Sequence, residues 1–474
     1  MLKYIFFCYF FCFSTIVKSQ SVTISDELNI RNDNGYEILG RYKGNILLFR
    51  DRIGESEIVA FDEQMRQRWQ KTIEYNERRP QILDAIGGKD YFSIVYRAKV
   101  QSGVVVKISR FDAAANFIDS ITPVQYSNRF VNVSPHSIYS ENKKIVLIYN
   151  YDQNQHIEAT VVDLDNMKVL WTRSIIIDES SNALSEQVIV TNEGFAYFIY
   201  EKEANVSLFS SAPPQYSIYK IDLTHSQKFQ IVLEDYTNFS AEFAYNNVHR
   251  QLHLVAAVSE KNKSKINSLL WVQNIGSPNA MQYLQGFSEE TTFAITGKKA
   301  SNSKGLSDLK IQEIAFRKDG GLIVLIEEVK QFSRAMNSMG RPFNNSDMPN
   351  TRVTLDFYHE ALIAASFNPD GSQQWEKVMP KKQFSQDDDG IFASYGLLKT
   401  PAALHLLFND EIKSETTTSE YVLTGGGTVH RHSLFNTAQQ EIALRFRDVL
   451  QTGSDEFVLP SEYHSRLKLV KVKY

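Results

Sequence analysis

Apolar residues along this chain fall either on alternate positions or in short unbroken runs, and small polar clusters interrupt them at close intervals. Both patterns have the two-residue period of β-structure, and no long stretch keeps a helical period. Runs such as 145-IVLIY and 321-GLIVLI are too apolar to leave one face in water. They predict strands buried on both sides.

The polar clusters are alike. In 361-ALIAASFNPDGSQQWEKV an apolar run meets a polar turn, and a second run opens on tryptophan. The order recurs in 56-SEIVAFDEQMRQRWQKTI, 157-IEATVVDLDNMKVLWTRSI and 216-YSIYKIDLTHSQKFQIVL, and less clearly in 104-VVVKISRFDAAANFIDSI, 268-SLLWVQNIGSPNAMQYLQ and 428-TVHRHSLFNTAQQEIALRF. The predicted turn residues are Asp62, Asp112, Asp163, Asp222, Asn274, Asn368 and Asn436. Their apolar partners are Trp69, Phe117, Trp171, Phe229, Met281, Trp375 and, poorly, Ala443. Asp and Asn start such turns by bonding their own backbone, and Gly371 permits a positive φ. An aromatic plugging the second strand contributes up to about 4–6 kcal/mol by burial alone, so its recurrence requires no ligand.

Successive turns lie 50, 51, 59, 52, 94 and 68 residues apart. A four-stranded propeller blade takes about 40–50 residues. An upstream hairpin, such as 81-QILDAIGGKDYFSIVYRA or 186-EQVIVTNEGFAYFIYEK, completes each unit. The expectation is an all-β propeller of seven four-stranded blades, with insertions at 285–307, 331–358 and 412–427. Tail strands in 455–474 should join N-terminal strands within 22–48, so that both termini share a blade and no edge stays free.

The first 19 residues read as a cleavable leader: Lys3, an apolar run from Tyr4 to Val17, and small Ser19 before Gln20. Both cysteines, Cys8 and Cys12, fall inside it, so the mature chain has no thiol for a disulfide or a zinc site. No later run reaches the length of a membrane-spanning helix. With 51 basic and 55 acidic residues and no basic tract, the chain does not read as a nucleic-acid binder.

Units such as FNPDGSQQW and VVDLDNMKVLW resemble the blades of secreted β-propellers of the PQQ-like and BamB-like kind, and of propellers common in Bacteroidota envelopes. The resemblance implies a protein of the bacterial periplasm or outer surface.

Catalytic patterns are sparse. Asp370 and Gly371 are adjacent, which departs from the sialidase Asp-box. Asp387-Asp388-Asp389-Gly390 lacks the every-second-residue ligand spacing of calcium loops. His430 and His432 share a strand face with no third ligand in sight. Gly425-Gly426-Gly427 lacks the Lys-Ser/Thr of a phosphate loop. No cofactor or metal is therefore expected. The segment 331–358 carries Phe332, Arg334, Met336, Met339, Arg341 and Phe343, residue types that anchor interfaces. The reading is a non-enzymatic propeller that binds a protein or glycan partner in the cell envelope. The alternatives are a propeller enzyme, a glycoside hydrolase or quinone-dependent dehydrogenase, working at the central channel, and an outer-membrane β-barrel.

Overall fold

In a computed structural model of the chain, the described residues are 21–474 except 128–132, 152–155, 178–182, 203–212, 261–264, 299–304, 337–351, 411–416 and 437–441. The leader therefore lies outside the described residues. Among the described residues the strands form eight separate antiparallel sheets, each pairing mostly in sequence order. The chain is an eight-bladed β-propeller, not a single closed sheet as a barrel would be, and not a seven-bladed ring.

The first seven blades run from Asp33–Tyr42, the first strand of blade one, to Val429–Asn436, the fourth strand of blade seven. The tail builds the eighth. Leu450–Gly453, Glu456–Tyr463 and Arg466–Lys473 pair in order, and Ser21–Ile24 adds the outermost strand, with Ser21 opposite Lys473. Leu28–Asn29 pairs with the same tail strand. The termini do share a blade. Of the N-terminal stretch 22–48, however, only this part joins it, because Asp33–Tyr42 and Asn45–Arg52 already belong to blade one. The expected count of seven missed this sheet because its outer hairpin is divided between the two chain ends and so carries no turn signature.

First strands of successive sheets lie side by side around the axis, as Asp33–Tyr42 does with Gln81–Gly87 on one side and Leu450–Gly453 on the other. Antiparallel alternation then sorts the loops. Links between blades and second-to-third-strand turns lie on one face, here called the link face. The other turns lie on the opposite face.

The third-to-fourth-strand turns are built alike. Asp62 N–H donates to the Arg66 carbonyl and Met65 N–H to the Asp62 carbonyl, while Asp62 Oδ1 accepts from the N–H groups of Gln64 and Arg66, each at 2.9 Å. The same backbone pattern recurs at 112–116, 368–372 and 424–428. The last of these corrects the seventh turn. Asn436 ends a fourth strand opposite Thr417, and the turn falls at Thr424, whose hydroxyl accepts from Thr428 N–H at 3.1 Å as an Asp carboxylate would.

Trp69, Trp171 and Trp375 occupy matching points. Each pairs with the residue two positions before its turn residue: Ala60, Val161 and Ser366. Trp171 donates its indole N–H to the Gly194 carbonyl of the next blade at 2.8 Å. Phe229, Tyr283 and Trp375 in turn pack on Gly276, Gly371 and Gly427 of the following blade's turn. At Gly371 and Gly427, φ is 82° and a Cβ would fall 2.0 Å and 2.6 Å from the neighbouring ring, so a side chain is excluded twice over. Two expected plugs differ. Phe117 is 57% exposed, and Met281 is exposed while Tyr283, opposite Trp271, takes its place. Apolar residues of neighbouring blades form the core, as where Leu47, Ile58 and Ala60 meet Phe92 and Ile94.

Segment 285–307 contains the helix Glu289–Thr296, capped by Ser288, whose Oγ accepts from Thr291 N–H at 3.1 Å. The described parts of segment 331–358 are strand: Leu322–Met336 and Arg352–Phe367 pair past the end of blade six as a two-stranded ribbon, up to Met336 opposite Arg352. Gln383–Gln386 adds a third strand to it. In 412–427, residues Thr417–Thr424 form the third strand of blade seven.

Candidate functional site

The first strands place a polar residue at equivalent positions: Glu37, Asp84, Ser137, Gln187, Glu242 and Glu313 lie opposite Phe49, Val95, Ile148, Ile199, Val255 and Leu325 of the second strands. These second-strand partners sit in the apolar runs buried on both sides, so the polar residue on the innermost strand is what the axis receives. Six of the eight first strands thus carry a polar residue at this register, whereas Gly396–Lys399 of blade seven reads Gly-Leu-Leu-Lys.

On the side of blades one, three and eight the channel opens into a cavity of about 640 Å³. Tyr36 and Glu37 line it from blade one, Tyr139 and Lys143 from blade three, and Arg445, Arg447 and Asp448 from the segment entering blade eight. Two kinds of charge meet there. Arg445 is paired: it bonds Glu462 and, at 2.6 Å, Asp448, and its guanidinium lies 5.5 Å from the centre of the Tyr36 ring. Tyr36 donates its hydroxyl to Glu462 at 3.2 Å. This group is a brace.

Glu37, Asp84, Lys143 and Arg447 form no carboxylate–cation contact among the described residues. They still feel one another. Burial pushes the Glu37 carboxyl up to about 7, and the nearby Asp84 adds to this. Burial likewise raises Asp84 to about 6, against the pull of the Ala85 N–H and Lys143. Burial lowers the Lys143 ammonium, while Glu37 and Asp84 oppose the shift. Lys143 also lies 5.7 Å from the Tyr139 ring centre, and its backbone φ of 58° belongs to the turn that carries it. A carboxyl poised near neutrality beside a second acid and an ammonium can hold or give up a proton to a bound ligand.

Behind Arg447 lies a buried ionic knot. Its Nη2 is 3.3 Å from His359 Nε2. His359 Nδ1 is 3.0 Å and Lys381 Nζ 2.5 Å from the two oxygens of Glu327, and all three side chains are buried. Ser394 Oγ and Gln312 Nε2 donate to the same carboxylate at 3.0 and 2.9 Å. Burial alone would raise the Glu327 carboxyl; Lys381 and His359 override it and hold it down at about 2. The knot sits at the register shift between Glu327 and Val329, where blade six becomes the projecting ribbon.

The residues singled out from sequence lie elsewhere. The turn residues Asp62, Asp112, Asp163, Asp222, Asn274 and Asn368 lie on the face opposite the link face. On the ribbon, Phe332 is 52% exposed and meets Tyr358 edge-on, with ring centres 5.7 Å apart. Arg334 and Met336 follow on the same strand. Met339, Arg341 and Phe343 lie outside the described residues. Asp387 Oδ1 accepts from Leu355 N–H at 2.9 Å, so the acidic loop fastens the ribbon. His430 and His432 stack on the exposed fourth strand of blade seven, with ring centres 6.3 Å apart. Among the described residues none of these lines the axial cavity. Glu37 had one legible signal: a single charged residue inside the first run of a unit, YEIL, as Asp84 is in ILDAI.

No family profile matches the chain, and no curated protein matches it. The narrower likeness to PQQ-like and BamB-like proteins therefore has no support from a family or a sequence relative. Solved structures of similar shape include the polysaccharide lyase Uly1, at 7% identity and a TM-score of 0.42, covering 95% of this chain and 99% of that one. The β-propeller domain of Nup133 from Vanderwaltozyma polyspora aligns at 8% identity with a TM-score of 0.39, covering 97% and 99%. The periplasmic gluconolactonase PpgL of Pseudomonas aeruginosa aligns at 10% with a TM-score of 0.35, covering 88% and 96%. No helix among the described residues is long and apolar enough to cross a membrane.

Proposed function

We propose that this protein is an exported propeller that takes a polar, glycan-like ligand into its axial cavity, where Glu37 exchanges a proton with it. The observation that carries the reading is Glu37 itself: a residue exposed to a cavity of about 640 Å³, whose carboxyl its surroundings raise to about 7, beside the Lys143 ammonium, which forms no ion pair among the described residues. This favours chemistry at the channel over a purely structural scaffold. The leader-like first 19 residues support export to the periplasm or outer surface.

Calorimetric titration with neutral and acidic oligosaccharides tests the site. At least one class is expected to bind the parent protein, and Glu37→Gln and Lys143→Met should each weaken it by about tenfold, as loss of a charge-assisted contact does. Binding that neither variant alters overturns the reading.

A second reading rests on Phe332, an exposed aromatic on a projecting ribbon: the ribbon docks a protein partner of the envelope. Capture from envelope extracts that is unchanged by Phe332→Ser and by deletion of 337–351 contradicts it.

A further inference from the structure

A second cleft opens on the link face between blades one, two and three. Its volume is about 790 Å³, and Arg78, Arg79, Arg97 and Lys99 line it together with Gln81 and Ser134. Three observations make it more than a scatter of surface charge. Among the described residues no carboxylate lines it, although the whole chain carries more acid than base. Glu77, the sequence neighbour of Arg78, is drawn away by Lys107 at 2.6 Å and by the Tyr96 hydroxyl at 2.8 Å. Arg97 is fixed at the wall, donating from Nε to Gln81 Oε1 at 2.7 Å and from Nη1 to the Val133 carbonyl. Arg78, Arg79 and Lys99 are exposed and form no ion pair among the described residues.

Four cations uncompensated in one cleft repel one another, and an anionic ligand relieves that repulsion. Guanidinium forks match carboxylate and sulfate oxygens in pairs. Four cations exceed what one small anion can engage, so the ligand carries several anionic groups. Among the described residues the lining has no aromatic ring on which bases could stack, and the acidic balance of the whole chain also argues against nucleic acid. We infer that this cleft binds an anionic polysaccharide chain, one bearing repeated carboxylate or sulfate groups. The inference does not rest on the axial-cavity reading, since the two clefts share no lining residue.

The test is binding of immobilised protein to polygalacturonate, dextran sulfate, unsubstituted dextran and poly(dT), at low and at physiological salt. At least one charged glycan should bind, weaken as salt is raised, and lose about tenfold or more in affinity in Arg78→Gln/Lys99→Gln, as removal of two ligand-facing charges implies. Both substitutions are at exposed positions, and thermal unfolding checks that the fold is kept. Lys318→Gln, at an exposed cation of blade six that lines neither cleft, should leave this binding unchanged, which separates the cleft from general surface charge. Equal binding of plain dextran, tighter binding of poly(dT), or no loss in the double variant overturns the inference.

Discussion

Trp375 donates its indole N–H to the carbonyl of Gly425, 3.0 Å away in the next blade. Its ring also covers Gly427 of the same turn. The fourth strand of blade six is thus tied to the turn of blade seven by one polar and one apolar contact. Removing the ring by Trp375→Ala should cost about 2 kcal/mol, below the value for a fully buried tryptophan because this one is half-buried. Gly427→Ala should cost about 1–3 kcal/mol through its left-handed backbone and the collision with the ring. Urea denaturation of the two single variants and the double variant checks both; the double should cost less than the sum, since the residues touch.

The ionic knot behind Arg447 predicts an asymmetry. Lys381→Met leaves Glu327 charged in the interior without its lysine, held only by His359, Ser394 and Gln312, at a cost of about 3 kcal/mol. Glu327→Gln/Lys381→Met removes both charges and should recover much of that loss. Because the folded Glu327 carboxyl sits near 2, below its unfolded value, its contribution is present above about pH 4.3 and is lost as pH falls toward 2. Acid unfolding of the parent protein should therefore steepen in that window, and in the double variant the step should flatten.

Glu37 carries the opposite sign. Its folded pKa of about 7 lies above the unfolded value, so folding favours the neutral acid. That stabilisation is complete below about pH 4.3 and is lost as pH rises through 7. Glu37→Gln should accordingly gain Tm relative to the parent protein on going from pH 5 to pH 8, by a few degrees, as a stabilisation of about 1–2 kcal/mol implies for a chain of this size. Scanning calorimetry at the two pH values checks it.

Ser21–Ile24 closes the ring by covering the edge of Arg466–Lys473. Deletion of residues 21–29 should expose that strand, lower the denaturation midpoint and promote association through the open edge. Size-exclusion chromatography coupled to light scattering reads the second effect directly.

How far the chain discloses itself follows from where its information is local. Asp62 and Trp69 are seven positions apart, and their hairpin is legible because turn, strand pair and aromatic share one window. The seventh turn was displaced because Thr424 does with a hydroxyl what Asp does elsewhere, and a rule keyed on acids passes over it. The eighth blade was hidden because Ser21 and Lys473 pair across the whole chain. The cavity was hidden for the same reason on a larger scale: its lining residues Glu37, Lys143 and Arg447 come from distant units and meet only when the ring closes. What the sequence did offer was Phe332 and its neighbours, an unusual composition in one window, and of these Phe332, Arg334 and Met336 lie on the ribbon and do not line the cavity.

The most direct test of the axial site is a carboxyl-carbon NMR titration of Glu37, assigned by comparison with Glu37→Gln. The account predicts a midpoint near 7 that moves when a cavity ligand is added. A midpoint at the ordinary glutamate value near 4.3, unchanged by ligand, would contradict it.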